Sequence, residues 1–248
     1  MRAPGGCPWD REQTEASMAP HLLEEACEAV DAIERGDATD TCEELGDVLM
    51  NVLMISQISS ENEGFDLEDV ARNLADKLVR RHPHVFPPEG EVVTAKNAAQ
   101  VLRNWEAIKR QEKASKGDAD RAGVLAGIPA ELPALLKAHR VGEKAAQVGF
   151  DWPDRSGARE KLDEELGELD LALQGEDREA IAREVGDAMF SLVNLARHIG
   201  VNAEMALRGT IRRFVTRFER VERRLGPDLG EVSLEDLEAA WQAAKREE

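Results

Sequence analysis

The feature that most constrains this chain is a set of four acidic residues that occurs twice in one register. Glu25, Glu28, Glu44 and Asp47 return as Glu165, Glu168, Glu184 and Asp187, each displaced by 140 positions, with apolar residues around both sets. Carboxylates set among core residues cost free energy unless something neutralises them, so a duplicated quartet predicts bound cations rather than a solvated face. A lone Glu-x-x-Glu pair would carry little weight in a chain with 50 acidic residues among 248. Duplication of all four reverses that judgement. The first set lies beside Leu22, Leu23, Ala26, Ala29 and Val30, then Leu45, Val48, Leu49 and Val52, so the acids adjoin an apolar stripe.

The repeat extends past the acids. Gly64-Phe65-Asp66 is echoed by Gly200-Val201-Asn202, Lys77 and Arg81 by Arg213 and Arg217, and Trp105 with Lys109 by Trp241 with Lys245, now at an offset of 136. The register therefore loses about one helical turn between Asp47 and Gly64. Two homologous halves of roughly 110 residues follow, a length suited to tandem domains. Their expected bounds are 1–115 and 131–248, joined by a linker over 116–130 that is small and polar, with Gly117 and Gly123.

Apolar spacing predicts helices almost everywhere and no convincing strand. In the first half they run from about Gln13 to Glu34, Ala38 to Glu61, Asp66 to Arg81, where His82-Pro83 stops the third, and Ala95 to Lys113. The second half repeats this order over Ser156–Leu173, Asp177–Ile199, Asn202–Leu225 and Leu234–Arg246, with Ile128-Pro129 and Leu132-Pro133 opening the segment before them. The fold class expected is all-α, and the 42% hydrophobic content is enough for real cores.

A formal charge of -18 repels phosphate backbones, which argues against a polymeric nucleic acid as partner while leaving room for a small anion bound through metal. Cys7, Cys27 and Cys42 are odd in number and lack a zinc-ligand spacing, which suits a reduced, cytoplasmic setting. Neither an apolar leader core near Met1 nor a run long enough to span a bilayer is present, so no membrane partner is expected.

Within each half, acids three apart share a helix face, and a short connection at Gly36 makes the two acidic helices antiparallel neighbours on which four carboxylates converge. An all-oxygen set suits a hard cation: Mg²⁺ first, Mn²⁺ second, and not zinc. Gly46 and Gly186 sit between the acids of the second helix, at a cost of about 0.5–1 kcal/mol each relative to alanine, which points to close approach by a partner helix or ligand. Arg213 and Arg217 could equally form surface ion pairs, and Trp105 and Trp241 could be packing anchors. His82, His84 and His198 read as structural, and Cys7-Pro8-Trp9-Asp10 as an N-terminal packing element.

These residues resemble the bacterial MazG nucleoside triphosphate pyrophosphohydrolases. The likeness lies in Cys7-Pro8-Trp9-Asp10, Glu24-Glu25-Ala26-Cys27-Glu28, Glu44-Leu45-Gly46-Asp47, Arg80-Arg81-His82-Pro83-His84-Val85-Phe86 and Trp105-Glu106-Ala107-Ile108-Lys109. In the second half it lies in Val148-Gly149-Phe150-Asp151-Trp152 and Asn194-Leu195-Ala196-Arg197-His198. The resemblance implies two tandem four-helix-bundle-like domains of the all-α NTP pyrophosphatase type, a homodimer, and hydrolysis of nucleoside triphosphates to monophosphate and pyrophosphate. It implies metal ligands at Glu165, Glu168, Glu184 and Asp187 and at Glu25, Glu28, Glu44 and Asp47, with the activity in the second domain. Nucleotide contacts carry over to Lys161, Arg213, Arg217 and Trp241, and to Lys77 and Arg81 in the first half.

Joined together, these lines place Mg²⁺ in the quartet against the triphosphate, Arg213 and Arg217 against charge on the leaving pyrophosphate, and Glu164 or Glu24 as the group that orients or deprotonates the attacking water. The rival from another class is a nucleotide-sensing helical dimer without turnover, which would keep the basic and aromatic residues and lose carboxylates. Both quartets are intact. A carboxylate di-iron protein would carry Glu-x-x-His on its helices, and no such pair accompanies either quartet.

Overall fold

The computed structural model describes residues 1–90, 93–115 and 123–247, and every regular element among them is helical. The chain divides into two compact units, Met1–Asp118 and Ala119–Glu248. Residues 116–122 of the expected linker lie outside the described residues.

The first unit contains α1 (Pro8–Glu12), α2 (Glu15–Arg35), α3 (Ala38–Glu61), α4 (Leu67–Arg81) and α5 (Ala98–Ser115). Local chemistry sets its boundaries. Thr14 and Ser17 form a reciprocal capping box that starts α2. Gly36 ends that helix in the left-handed conformation (φ 74°), and the Asp37 carboxylate accepts from the Thr39 and Asp40 amides to start α3. With only Gly36-Asp37 between them, α2 and α3 must fold back antiparallel. They pack over Met18, Met54 and Ile58, with Ile55 against that cluster.

The second unit contains α6 (Ala134–Ala146), α7 (Arg155–Ala172), α8 (Arg178–His198), α9 (Ala203–Leu225), a 3₁₀ turn at Leu229–Glu231 and α10 (Leu234–Arg246). Helices α7 to α10 repeat α2 to α5. Asp177 caps α8 as Asp37 caps α3, and Asn202 caps α9 as Asp66 caps α4. The four-residue register loss is now located: α3 has 24 residues and α8 has 21, and the remaining residue is in the connection that follows.

Two helices, α1 and α6, stand outside the strict repeat. The segment opened by Pro129 and Pro133 becomes α6, which packs on α8 and α9. Its buried Lys144 donates Nζ to the carbonyls of Val124 (3.3 Å) and Ala126 (3.0 Å), fastening residues 123–126 to this unit. Val221, Ala240 and Ala244 form the core at the other end, with Leu225, Leu237 and Trp241 against them. Among the described residues no helix is long and apolar enough to cross a membrane.

Both units leave apolar side chains uncovered in matching places. Leu45, Leu49 and Met50 on α3 and their counterparts Val185, Met189 and Phe190 on α8 are exposed, as are Ile211, Phe214, Val215 and Phe218 on α9.

Candidate metal and nucleotide centres

The antiparallel pairs α2–α3 and α7–α8 bring the acids together. Glu25, Glu28 and Glu44 each offer a carboxylate oxygen within 4.8 Å of the others in the first unit, and Glu165, Glu184 and Asp187 do so in the second. The fourth acid differs between copies. Asp47 acts electrostatically on Glu25 and Glu44, whereas exposed Glu168 stands outside the second trio. Glu25 and Glu44 are raised above the ordinary glutamate pKa, first by desolvation and then by the neighbouring carboxylates, which is the cost of crowding like charges. An all-oxygen donor set of this spread fits a hard divalent cation, so the residues present agree with the implied Mg²⁺ or Mn²⁺.

The first cluster borders a cavity of about 370 Å³ lined by Cys27, Glu28, Asp31, Arg35 and Glu44. Arg35 pairs there with Asp31 and with Asp40 at 2.7 Å. In the second cluster the cation is Lys161, whose Nζ lies 2.8 Å from both Glu164 and Glu165; its pKa is raised by hydrogen bonds to Glu164 and then Glu165. Glu164, a candidate base, is thus tied to Lys161. Glu24 is exposed, 3.9 Å from His21 Nδ1.

The basic and aromatic residues also assemble pairwise. Arg81 donates from Nε and Nη2 to Glu112 at 3.0 and 2.5 Å and lies 5.4 Å from the Trp105 ring centre. Arg217 lies 5.7 Å from the Trp241 ring centre. Trp241 is also 4.9 Å from Phe214 and packs on the Val221 core, so its anchoring role is real. Arg213 is exposed on α9 and donates to Thr210 Oγ1 at 2.9 Å; Lys77 is half-buried on α4.

The two glycines between the acids of α3 and α8 lie open. A Cβ at Gly46 or Gly186 would meet nothing within 4 Å, so among the described residues neither the expected partner helix nor any other group approaches these two positions.

One polar cluster was not joined from the sequence. Asp151 accepts from Arg197 Nη1 and Nη2 at 2.9 and 2.5 Å and is 2.8 Å from His198 Nε2, tying the loop before α7 to the end of α8. Both motifs were visible, but nothing in a single sequence pairs them.

With this geometry in place, comparison with known proteins decides the family. The model for the MazG nucleotide pyrophosphohydrolase domain matches residues 13–86 and 156–223. The chain belongs to that family. The nucleoside triphosphate pyrophosphohydrolase of Escherichia coli is 42% identical over 248 residues, spanning 98% of this chain and 92% of that protein. The nucleoside triphosphate pyrophosphohydrolase/pyrophosphatase MazG of Thermotoga maritima is 42% identical over 99% of this chain and 91% of its own length. A nucleoside triphosphate pyrophosphohydrolase of Mycolicibacterium smegmatis is 38% identical over 58% of this chain and 42% of its own length. The two MazG matches contain both quartets, Lys161, Arg81, Arg213 and Arg217, and stop short of Trp105 and Trp241.

Proposed function

We propose that this chain hydrolyses nucleoside triphosphates, with broad acceptance of ribo- and deoxyribonucleotides, to the monophosphate and pyrophosphate at the second carboxylate cluster. The observation that carries this is the Glu165, Glu184 and Asp187 trio, its oxygens within 4.8 Å, in a chain of this family. Mg²⁺ is the cation proposed. Bound there, it supplies positive charge to the triphosphate oxygens and acidity to the attacking water.

The protein's own residues do the rest. Glu165, Glu184 and Asp187 would hold the cation, and Glu168, outside the trio, would be its fourth ligand. Water attacks the α-phosphorus, the bond from that phosphorus to the bridging oxygen breaks, and pyrophosphate leaves. Arg213 and Arg217 offset charge developing on the leaving group, and Glu164 takes the water's proton. Trp241 offers a face on which any base can stack, which suits broad specificity. The first cluster is proposed as a second cation site, with Lys77 and Arg81 on the nucleotide side and Glu24 in the place of Glu164.

Two further proposals concern context. Exposed apolar residues in matching places on α3 and α8 support a homodimer that covers them. The three cysteines are free and exposed, which favours a reducing, cytoplasmic setting.

Product analysis tests the function. Incubation with Mg²⁺ and a panel of triphosphates should give monophosphate and pyrophosphate; diphosphate with phosphate, or no turnover of any nucleotide, would refute it.

A further inference from the structure

The most buried acid of the second cluster already has a cation of its own. Glu165 is 6% exposed, and Lys161, one turn earlier on α7, brings Nζ to 2.8 Å from Glu165 Oε1 and 2.8 Å from Glu164 Oε1. One ammonium therefore engages both a ligand of the trio and the carboxylate that stands ready to take the water's proton. The equivalent position in the first unit is His21, which lies 3.9 Å from Glu24. Arg35, the guanidinium beside the first cluster, is held by Asp31 and Asp40.

We propose that Lys161 is a resident counter-ion which a divalent cation must displace from Glu165, and that its release delivers the ammonium to the triphosphate and frees Glu164. The inference rests on the reading that the trio holds the metal. Two cations sharing one poorly solvated carboxylate repel each other, so metal and ammonium exclude one another at Glu165. The displaced side chain stays tethered one turn away, where a triphosphate bound at the metal would offer it a stronger negative charge than Glu164 alone. Metal alone must compete with Lys161, whereas metal with nucleotide gives the ammonium a second place to bind. Each ligand then raises the affinity of the other, as linkage requires. Lysine suits this exchange because it is a compact point charge on a flexible stem, where arginine's planar fork would hold its partner more rigidly. The first cluster carries His21 where the second has this lysine, so its metal affinity should depend less on nucleotide.

The test uses the full chain carrying Glu25→Ala and Glu28→Ala, which silences the first cluster, with Mn²⁺ binding followed by electron paramagnetic resonance in the absence of nucleotide. Adding Lys161→Met should tighten Mn²⁺ binding by roughly three- to tenfold, the size expected for loss of a partly exposed ion-pair competitor. Lys161→Arg keeps the charge and should bind Mn²⁺ no more tightly than the parent. Lys161→Gln provides a second neutral variant should the methionine change disturb folding, judged by far-ultraviolet circular dichroism. Binding of an α,β-methylene triphosphate should gain less from saturating Mn²⁺ in the neutral variants than in the parent. Mn²⁺ affinity unchanged or weakened in both neutral variants would overturn the proposal. A parent whose Mn²⁺ binding is absent, or insensitive to Glu184→Ala, would instead overturn the metal-holding role of the trio.

Discussion

Arg217 holds its guanidinium 5.7 Å from the centre of the Trp241 ring, as Arg81 does at 5.4 Å from Trp105. The pairing is thus a repeated part of the fold, joining the third and fourth helices of each repeat. Such contacts contribute about 0.5–1 kcal/mol at exposed sites.

Trp241 bears packing as well as stacking, since it contacts both Phe214 and the Val221 core. Trp241→Ala should destabilise the second unit by about 2–4 kcal/mol, seen as a lower unfolding temperature, and Trp241→Phe by much less. A neutral Trp241→Ala melt would show that the ring serves the nucleotide alone.

The Asp151 cluster carries a pH signature. Burial alone would raise this carboxyl, but the bonds from Arg197 and His198 hold it below the ordinary aspartate value of 3.8. A folded-state pKa below the unfolded one contributes stability above pH 3.8 and loses it as pH falls through the lowered value. Asp151→Asn should therefore cost about 1–2 kcal/mol near pH 7 and little once the wild-type carboxyl is protonated. Thermal melts across that range measure it; a pH-independent difference would contradict the assignment.

Much of this was legible because caps and breakers act locally. Asp37, Asp66 and Asp177 start helices through bonds two or three residues away, so their positions fix boundaries without knowledge of the fold. The quartets were legible because duplication outweighs chance. The Asp151–Arg197 bond spans 46 residues, and no local rule predicts it. The fourth acid illustrates another limit: the repeat makes Glu168 the counterpart of Glu28 and Asp47 that of Asp187, yet only Glu28 and Asp187 fall within the trios. Gly46 and Gly186 stand out in the sequence as glycines inside helices, yet a Cβ at either would meet nothing within 4 Å among the described residues.

Assembly gives a third expectation. Leu45 and Leu49 on α3, with Val185 and Met189 on α8, leave more apolar surface open than isolated exposed residues would. Light scattering should give a mass near twice 27.4 kDa, and the double change Leu49→Glu with Met189→Glu should shift it toward the single-chain value. A concentration-independent single-chain mass for the unaltered protein would refute the dimer.

The last expectation separates the units and ranks the acids. Asp187 and Glu184 belong to the second trio, so Asp187→Ala or Glu184→Ala should lower kcat/KM by about a hundredfold or more with helicity preserved, because metal holding and charge stabilisation fail together. Glu168 lies outside the trio, so Glu168→Ala should cost less than either and be partly restored by raising Mg²⁺. Glu28→Ala and Asp47→Ala act at the cluster where His21 replaces the lysine, and they should retain most of the activity. Steady-state rates of pyrophosphate release for the five variants decide the matter. If the first-unit variants are the inactive ones, catalysis belongs to the first cluster; if all five fall equally, the two units act as one.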